Sequence, residues 1–375
     1  MLVELRDALC FACSTDFWRM AVLWTLSLLL SYLQLLTKTL FSRKPIASYP
    51  RCSPSSPPPS TSTTKTRLPV CIITGATSGL GAAAAYSLSM EGFFVVLVGR
   101  SSNLLSEVMT DIKRRNDNAR LKSFQVDLSS FASILKFKSS FEQWLLDSDL
   151  HSSVQLLINN AGILATSFRS TAEGFDQMMG INYLGAFSFT KVLLPLLENS
   201  PVPSRIVNVT SFTHRTVSSI QVDKETISGK LFSRCKRYPC ARIYEYSKLC
   251  LLLFSYELHR QFGVTGRSCS VSIIAVDPGV VKTNIMREVP TCLRYVAFLV
   301  LNLLGLLQSP ESGARSVVDA ALAPPEISGV YFFGGNGRTV NSSARSYETK
   351  LAKELWAASC DLFLELQLAF KDSAS

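Results

Sequence analysis

From residue 70 onward the chain alternates short apolar, often β-branched runs with longer stretches in which apolar residues recur every three or four positions. The short runs fall at 70–74, 93–98, 121–126, 154–158, 205–209, 271–276 and 329–333. They read as strands. The longer stretches, notably 80–90, 103–115, 131–146, 174–197, 243–261 and 309–321, carry helical periodicity. Such alternation predicts one doubly wound α/β domain over residues 68–335, a seven-stranded parallel sheet with helices on both faces. Over 336–375, Leu351, Leu355, Leu362 and Leu366 fall at helical spacing and predict an amphipathic helix that packs or pairs by that face.

The pattern before residue 68 is different. Eighteen residues without a charge, 20–37, lie between Arg19 and Lys38 within an N-terminal segment 1–41. At 1.5 Å per residue they just cross a hydrocarbon core, and no small-residue cleavage site follows closely, so they read as a membrane anchor rather than a removed signal. Residues 42–67 are rich in Ser, Pro and Thr, cannot bury enough apolar area to fold, and read as a flexible linker. The net charge is +10, and half of that excess lies in residues 1–69. Basic residues after the apolar run outnumber those before it, which places the downstream domain in the cytosol. No basic stripe is interleaved with aromatic residues, so no nucleic-acid partner is expected. Ten scattered cysteines suit reduced thiols, and Cys10-x2-Cys13 lacks a second ligand pair, so no metal site is expected.

The chemistry begins where the first strand ends. Thr74-Gly75-Ala-Thr-Ser78-Gly79-Leu80-Gly81 is a glycine turn leading into a helix. Glycine has no Cβ to block the approach of backbone N–H groups to a pyrophosphate, so this is the dinucleotide-binding turn of a Rossmann domain. Arg100 closes the second strand, where a carboxylate would hold the ribose of NAD; a cation there pairs with a 2′-phosphate, which points to NADP(H). Asp127 closes the third strand and can accept from an adenine amino group. Tyr244 and Lys248 stand four residues apart on one helix face. A phenol is a poor acid–base group at neutral pH unless a neighbouring cation stabilises its phenolate, and Lys248 supplies that cation.

Together these motifs resemble the short-chain dehydrogenase/reductases. Thr210-Ser211-Phe-Thr-His214, Tyr244-x3-Lys248-Leu-Cys and the tail from Tyr331 to Ser359 are similar to the retinol-dehydrogenase branch. The resemblance implies that Tyr244 exchanges the proton of the reacting oxygen, Ser211 hydrogen-bonds that oxygen, and Lys248 lowers the tyrosine pKa and binds ribose. It implies that Asn182 maintains a water relay, that Asn159, Ala161 and Gly162 lie beside the nicotinamide ribose, and that Pro278, Gly279 and Thr283 cover the carboxamide. The expected activity is NADP(H)-dependent oxidoreduction of a lipophilic alcohol or carbonyl compound by a single-pass membrane protein of the endoplasmic reticulum or plastid envelope, with a homodimer as a further partner. Two other readings stand beside it: a cofactor-binding sensor or scaffold, and a plastid reductase of a pigment-like ring. An insert at 217–241, with Lys224, Lys230, Arg234, Lys236 and Arg237, could shape the substrate mouth, touch anionic lipid or be a solvated loop. The apolar run 295–307 is too short to span a bilayer and reads as a lid, an interfacial helix or core. His214 reads as a buried, satisfied polar group or as a pocket residue.

Overall fold

The computed structural model describes residues 2–41, 48–52, 68–148, 150–264 and 271–374. Seven strands, β1 (Val70–Thr74), β2 (Phe94–Gly99), β3 (Arg120–Gln125), β4 (Leu156–Asn159), β5 (Ser204–Val209), β6 (Val271–Asp277) and β7 (Val330–Phe333), form one sheet in the order β3-β2-β1-β4-β5-β6-β7. Every pairing is parallel. Each expected strand is present, with ends moved by no more than two residues. Chain order reverses between β1 and β4, and that reversal opens a crevice at the carboxyl ends of the strands.

The helices used below are α1 (Thr25–Phe41), α2 (Gly79–Met90), α3 (Ser102–Arg115), α4 (Phe131–Asp147), α5 (Ala186–Glu198), α6 (Cys240–Val264), α7 (Thr291–Leu303), α8 (Pro310–Ala321) and α9 (Thr349–Ala374). Successive side chains of β1 go to opposite layers, as the strand period of two requires. Val70 and Ile72 join Phe141, Leu193 and Leu249 from α4, α5 and α6, whereas Cys71 and Ile73 join Leu88, Ile112 and Val317 from α2, α3 and α8.

The long helix expected over 174–197 runs through Gln177–Glu198 with a π turn inside it. A π-helical turn, Gly180–Gly185, precedes α5, and Asn182 within it is held at both ends of its amide by the backbone of Ile163. The α9 helix packs within the chain. Trp356 stacks on Phe254 of α6 at 6.1 Å and Ser359 Oγ lies 2.6 Å from Tyr183 Oη, so its apolar face is already used. The 217–241 insert also packs down, with Ile227 and Phe232 buried and Tyr238 donating to Asp176 at 2.7 Å.

The N-terminal segment forms the expected apolar helix and also touches the domain. It is helical through Thr15–Phe41 and lies along the α/β domain instead of standing apart from it. Leu28 and Leu35 are buried, Tyr32 meets Phe333 edge-on at 5.1 Å, and Ser31 accepts from Arg215 at 3.1 Å. Residues 42–47 and 53–67 of the expected linker lie outside the described residues. The remaining five, 48–52, are docked: Tyr49 stacks on Phe332 at 5.8 Å, Arg51 pairs with Asp319 at 2.7 Å, and Cys52 N–H donates to Leu322 O at 2.6 Å. Interleaved aromatic and basic residues give this stretch partners that its Ser/Pro composition hides.

Candidate active site

One continuous cavity of about 830 Å³ runs along the crevice. At one end Gly75, Ser78, Gly79, Leu80 and Gly81 line it. Gly75 has φ +67°, and a Cβ there would sit 2.8 Å from Ala161 Cα. At Gly81 a Cβ would collide with the Gly75 carbonyl. Ser78 precedes α2 in extended conformation without capping it, so the first N–H groups of α2 face the cavity. That cradle, together with the positive end of a helix, fits the pyrophosphate of a dinucleotide.

Arg100 is exposed on the cavity wall, and its guanidinium has no ion-pair partner among the described residues. Asp127 lines the same end, but one of its oxygens accepts from Ser129 N–H at 2.9 Å and Ser129 Oγ at 2.7 Å. Ala161, Gly162, Pro278, Gly279 and Thr283 line the middle of the cavity.

At the far end Ser211, just beyond β5, meets Tyr244 and Lys248 of α6. Burial chiefly, and then the charge of Asp277, raise the Tyr244 pKa; a hydrogen bond with Ser211 opposes the rise. Lys248 is buried, donates to Val209 O at 3.0 Å and places Nζ 5.7 Å from the Tyr244 ring centre. Burial brings its pKa down to about 8, with Asp277 acting in the other direction. The lysine is therefore poised close to neutrality, where a small change in local charge alters its protonation. Buried Asp277, held by Tyr331 Oη at 2.7 Å and Gly279 N–H at 2.8 Å, is a member of this electrostatic group that its place in a Pro-Gly turn did not announce.

Three expected residues do not line the cavity. Thr74 Oγ1 accepts from the N–H groups of Asn160 and Ala161, tying the ends of β1 and β4 together. Asn159 turns into the core and donates to Asn208 at 2.8 Å and Thr190 at 2.9 Å, because it pairs in register with Asn208. Its neighbour Asn160, pointing the other way, lines the cavity and holds the glycine turn through Thr74 O at 2.8 Å. Asn182 is fully buried; besides Ile163 it donates to Ser247 at 3.1 Å, so it braces the helix that carries Tyr244. His214 is also buried away from the cavity. Its Nε2 accepts from Ser343 N–H at 3.1 Å and its Nδ1 donates to Ser211 O at 2.6 Å.

Beyond Tyr244 the cavity becomes apolar, lined by Phe17, Met20 and Trp24 from the N-terminal segment and by Leu293, Val296 and Leu301 around α7. No residue of the 217–241 insert lines it. The α7 helix has no fully buried residue, and Tyr295, Leu299 and Leu303 are exposed; of the apolar run only Leu306, beyond the helix, is buried in a core cluster.

The sequence model of the short chain dehydrogenase family matches residues 69–221. A human polyprenol dehydrogenase is 34% identical over 301 residues, covering 78% of this chain and 84% of that protein. The chain belongs to the short-chain dehydrogenase/reductase family. Within it, a mouse retinol dehydrogenase 12 is 33% identical over 305 residues, covering 80% of this chain and 88% of its own length. This short-chain dehydrogenase therefore falls in the retinol-dehydrogenase-like branch. Among solved structures, a 3-oxoacyl-[acyl-carrier protein] reductase from Brucella melitensis in complex with NAD matches with a TM-score of 0.55, 20% identity, and coverage of 73% of this chain and 98% of its own. That likeness is one of fold.

Proposed function

We propose that the protein is an NADP(H)-dependent oxidoreductase of a lipophilic alcohol or carbonyl compound, with Tyr244 as the general acid and base. The observation that carries this reading is the meeting of Ser211, Tyr244 and Lys248 where a glycine-cradled cleft opens into an apolar chamber. A nicotinamide bound in the glycine-cradled cleft would supply or accept the hydride; the chain's own residues manage the proton and the substrate. Ser211 holds the reacting oxygen. Tyr244 gives that oxygen a proton in reduction and takes it in oxidation, while the Lys248 cation stabilises the phenolate. Asn182 supports the pair by fixing the loop at Ile163 against α6.

The unpaired cation at Arg100 favours NADP(H) over NAD, since a 2′-phosphate would find a partner there. The apolar chamber suits a long hydrocarbon substrate, as the polyprenol and retinol dehydrogenases to which the chain is similar are named for. Exposed Leu26, Leu29, Leu33 and Leu36 on α1 and the outer face of α7 supply apolar surface for seating in a membrane. The basic residues that follow α1 favour a cytosol-facing catalytic domain on the endoplasmic reticulum or plastid envelope.

The test uses the full chain in detergent, a long-chain isoprenoid aldehyde, and NADPH or NADH. Wild type should bind NADPH more tightly, Arg100→Glu should remove that preference, and Tyr244→Phe should abolish turnover while NADPH binding persists. Equal affinity for both cofactors in the wild type would refute the cofactor assignment; turnover by Tyr244→Phe would refute the acid–base assignment.

A further inference from the structure

We infer that Arg19 and Trp24 of the N-terminal helix, closed on the buried carboxylate of Glu245, position the acid–base residue Tyr244, so that the segment expected to span a membrane is a wall of the active site. The inference rests on the reading of Tyr244 given above and adds a part of the chain outside the family's catalytic pattern.

Glu245 directly follows Tyr244 and its side chain is wholly buried. Arg19 Nε lies 2.8 Å from each of its oxygens and Arg19 Nη2 lies 2.6 Å from Oε2. Trp24 Nε1 donates to Oε1 at 2.7 Å. Arg19 Nη2 also donates to Thr216 O at 3.0 Å, beyond the turn that carries Ser211. The same indole packs on the Tyr244 ring, with ring centres 5.5 Å apart. A second contact acts on the first turn of α6, where Asp16 accepts from Ala241 N–H at 3.1 Å. The N-terminal helix thus holds the helix of the phenol at its end, at the residue beside the phenol, and on the phenol ring itself.

The energetics favour coupling. A buried carboxylate that loses its cation is costly, and the helix relieves that cost by turning the charge toward water. Such a rotation at Glu245 carries the backbone of Tyr244 with it. The contacts from Asp16 to Leu35 seat one flank of this helix on the domain. Its other flank, with that of α7, stays apolar and exposed beside the cavity.

The experiment uses the full chain reconstituted in phosphatidylcholine vesicles. Arg19→Ala, Trp24→Phe and wild type are compared by steady-state kinetics with the isoprenoid aldehyde, by NADPH titration, and by hydrogen exchange of amides 240–248. Arg19→Ala should lower kcat about tenfold or more with the NADPH dissociation constant held within about twofold, because Arg19 acts through Tyr244 and not on the cofactor. Trp24→Phe, which keeps a ring and loses the N–H, should lie between Arg19→Ala and wild type. Exchange at 240–248 should rise in Arg19→Ala. Wild-type kcat in Arg19→Ala would overturn the inference, as would a parallel loss of NADPH binding and kcat in both variants. If wild type turns over no aldehyde, the acid–base reading fails on its own account. The exchange arm then decides the clamp: unchanged protection in Arg19→Ala overturns it and increased exchange supports it.

Discussion

His214 shows how one buried side chain shapes the site without entering it. It bridges the backbone of Ser211 to Ser343, and burial first, then the charge of Arg215, bring its pKa down to about 3. An unfolded histidine titrates near 6.5, so between those values the unfolded chain binds the extra proton and stability falls as pH falls. At pH 5 the cost relative to neutral pH is about 2 kcal/mol. Denaturant unfolding of wild type and His214→Gln at pH 7 and pH 5 measures this: His214→Gln should start less stable and lose less on acidification. Of the two roles open to His214 from sequence, the structure supports the satisfied buried group. Its closeness to Ser211 was legible; its partner Ser343, 129 residues away, was not.

At the scale of elements, the glycine turn between β1 and α2 shapes one end of the cavity. Its form was readable because only glycine tolerates the left-handed backbone at Gly75 with Ala161 so near. Gly75→Ala should weaken NADPH binding by about tenfold or more while the circular dichroism spectrum keeps its α/β form, because the strain falls on the turn and not on the sheet. An unchanged NADPH titration would show that the turn does not hold the cofactor. The direction faced by residues at strand ends was less readable. Asn159 and Asn160 differ by one position, and the strand period sends one to the core and the other to the cavity. Sequence placed both near the end of β4, but the register against β5 decides which is which.

At the scale of the whole molecule, apolar surface gathers where the N-terminal helix and α7 flank the cavity. Leu299 and Leu303 are 58% and 76% exposed, so changing them leaves the core intact. If α7 seats in a membrane as proposed, the double variant Leu299→Asp, Leu303→Asp should reduce vesicle binding by about tenfold or more, since two leucines would lose their burial in lipid. Its unfolding midpoint should stay near that of wild type. Vesicle co-sedimentation at wild-type strength would remove α7 from the membrane-seating surface. The insert and the Leu355–Leu362 face of the α9 helix, by contrast, pack within the chain.

The sequence by itself determined the order and type of the elements in the α/β domain, the glycine turn, and the Tyr244–Lys248 spacing. All of these depend on neighbours a few residues apart, where periodicity and backbone sterics act. Only the tertiary structure shows that the N-terminal run also packs on the domain. Its apolar residues satisfy a bilayer and a protein surface equally well by composition. The protein-facing side is fixed by the meeting of Arg19 and Trp24 with Glu245 more than two hundred positions away, and that pairing exists only once the sheet has brought α6 beside the N-terminus.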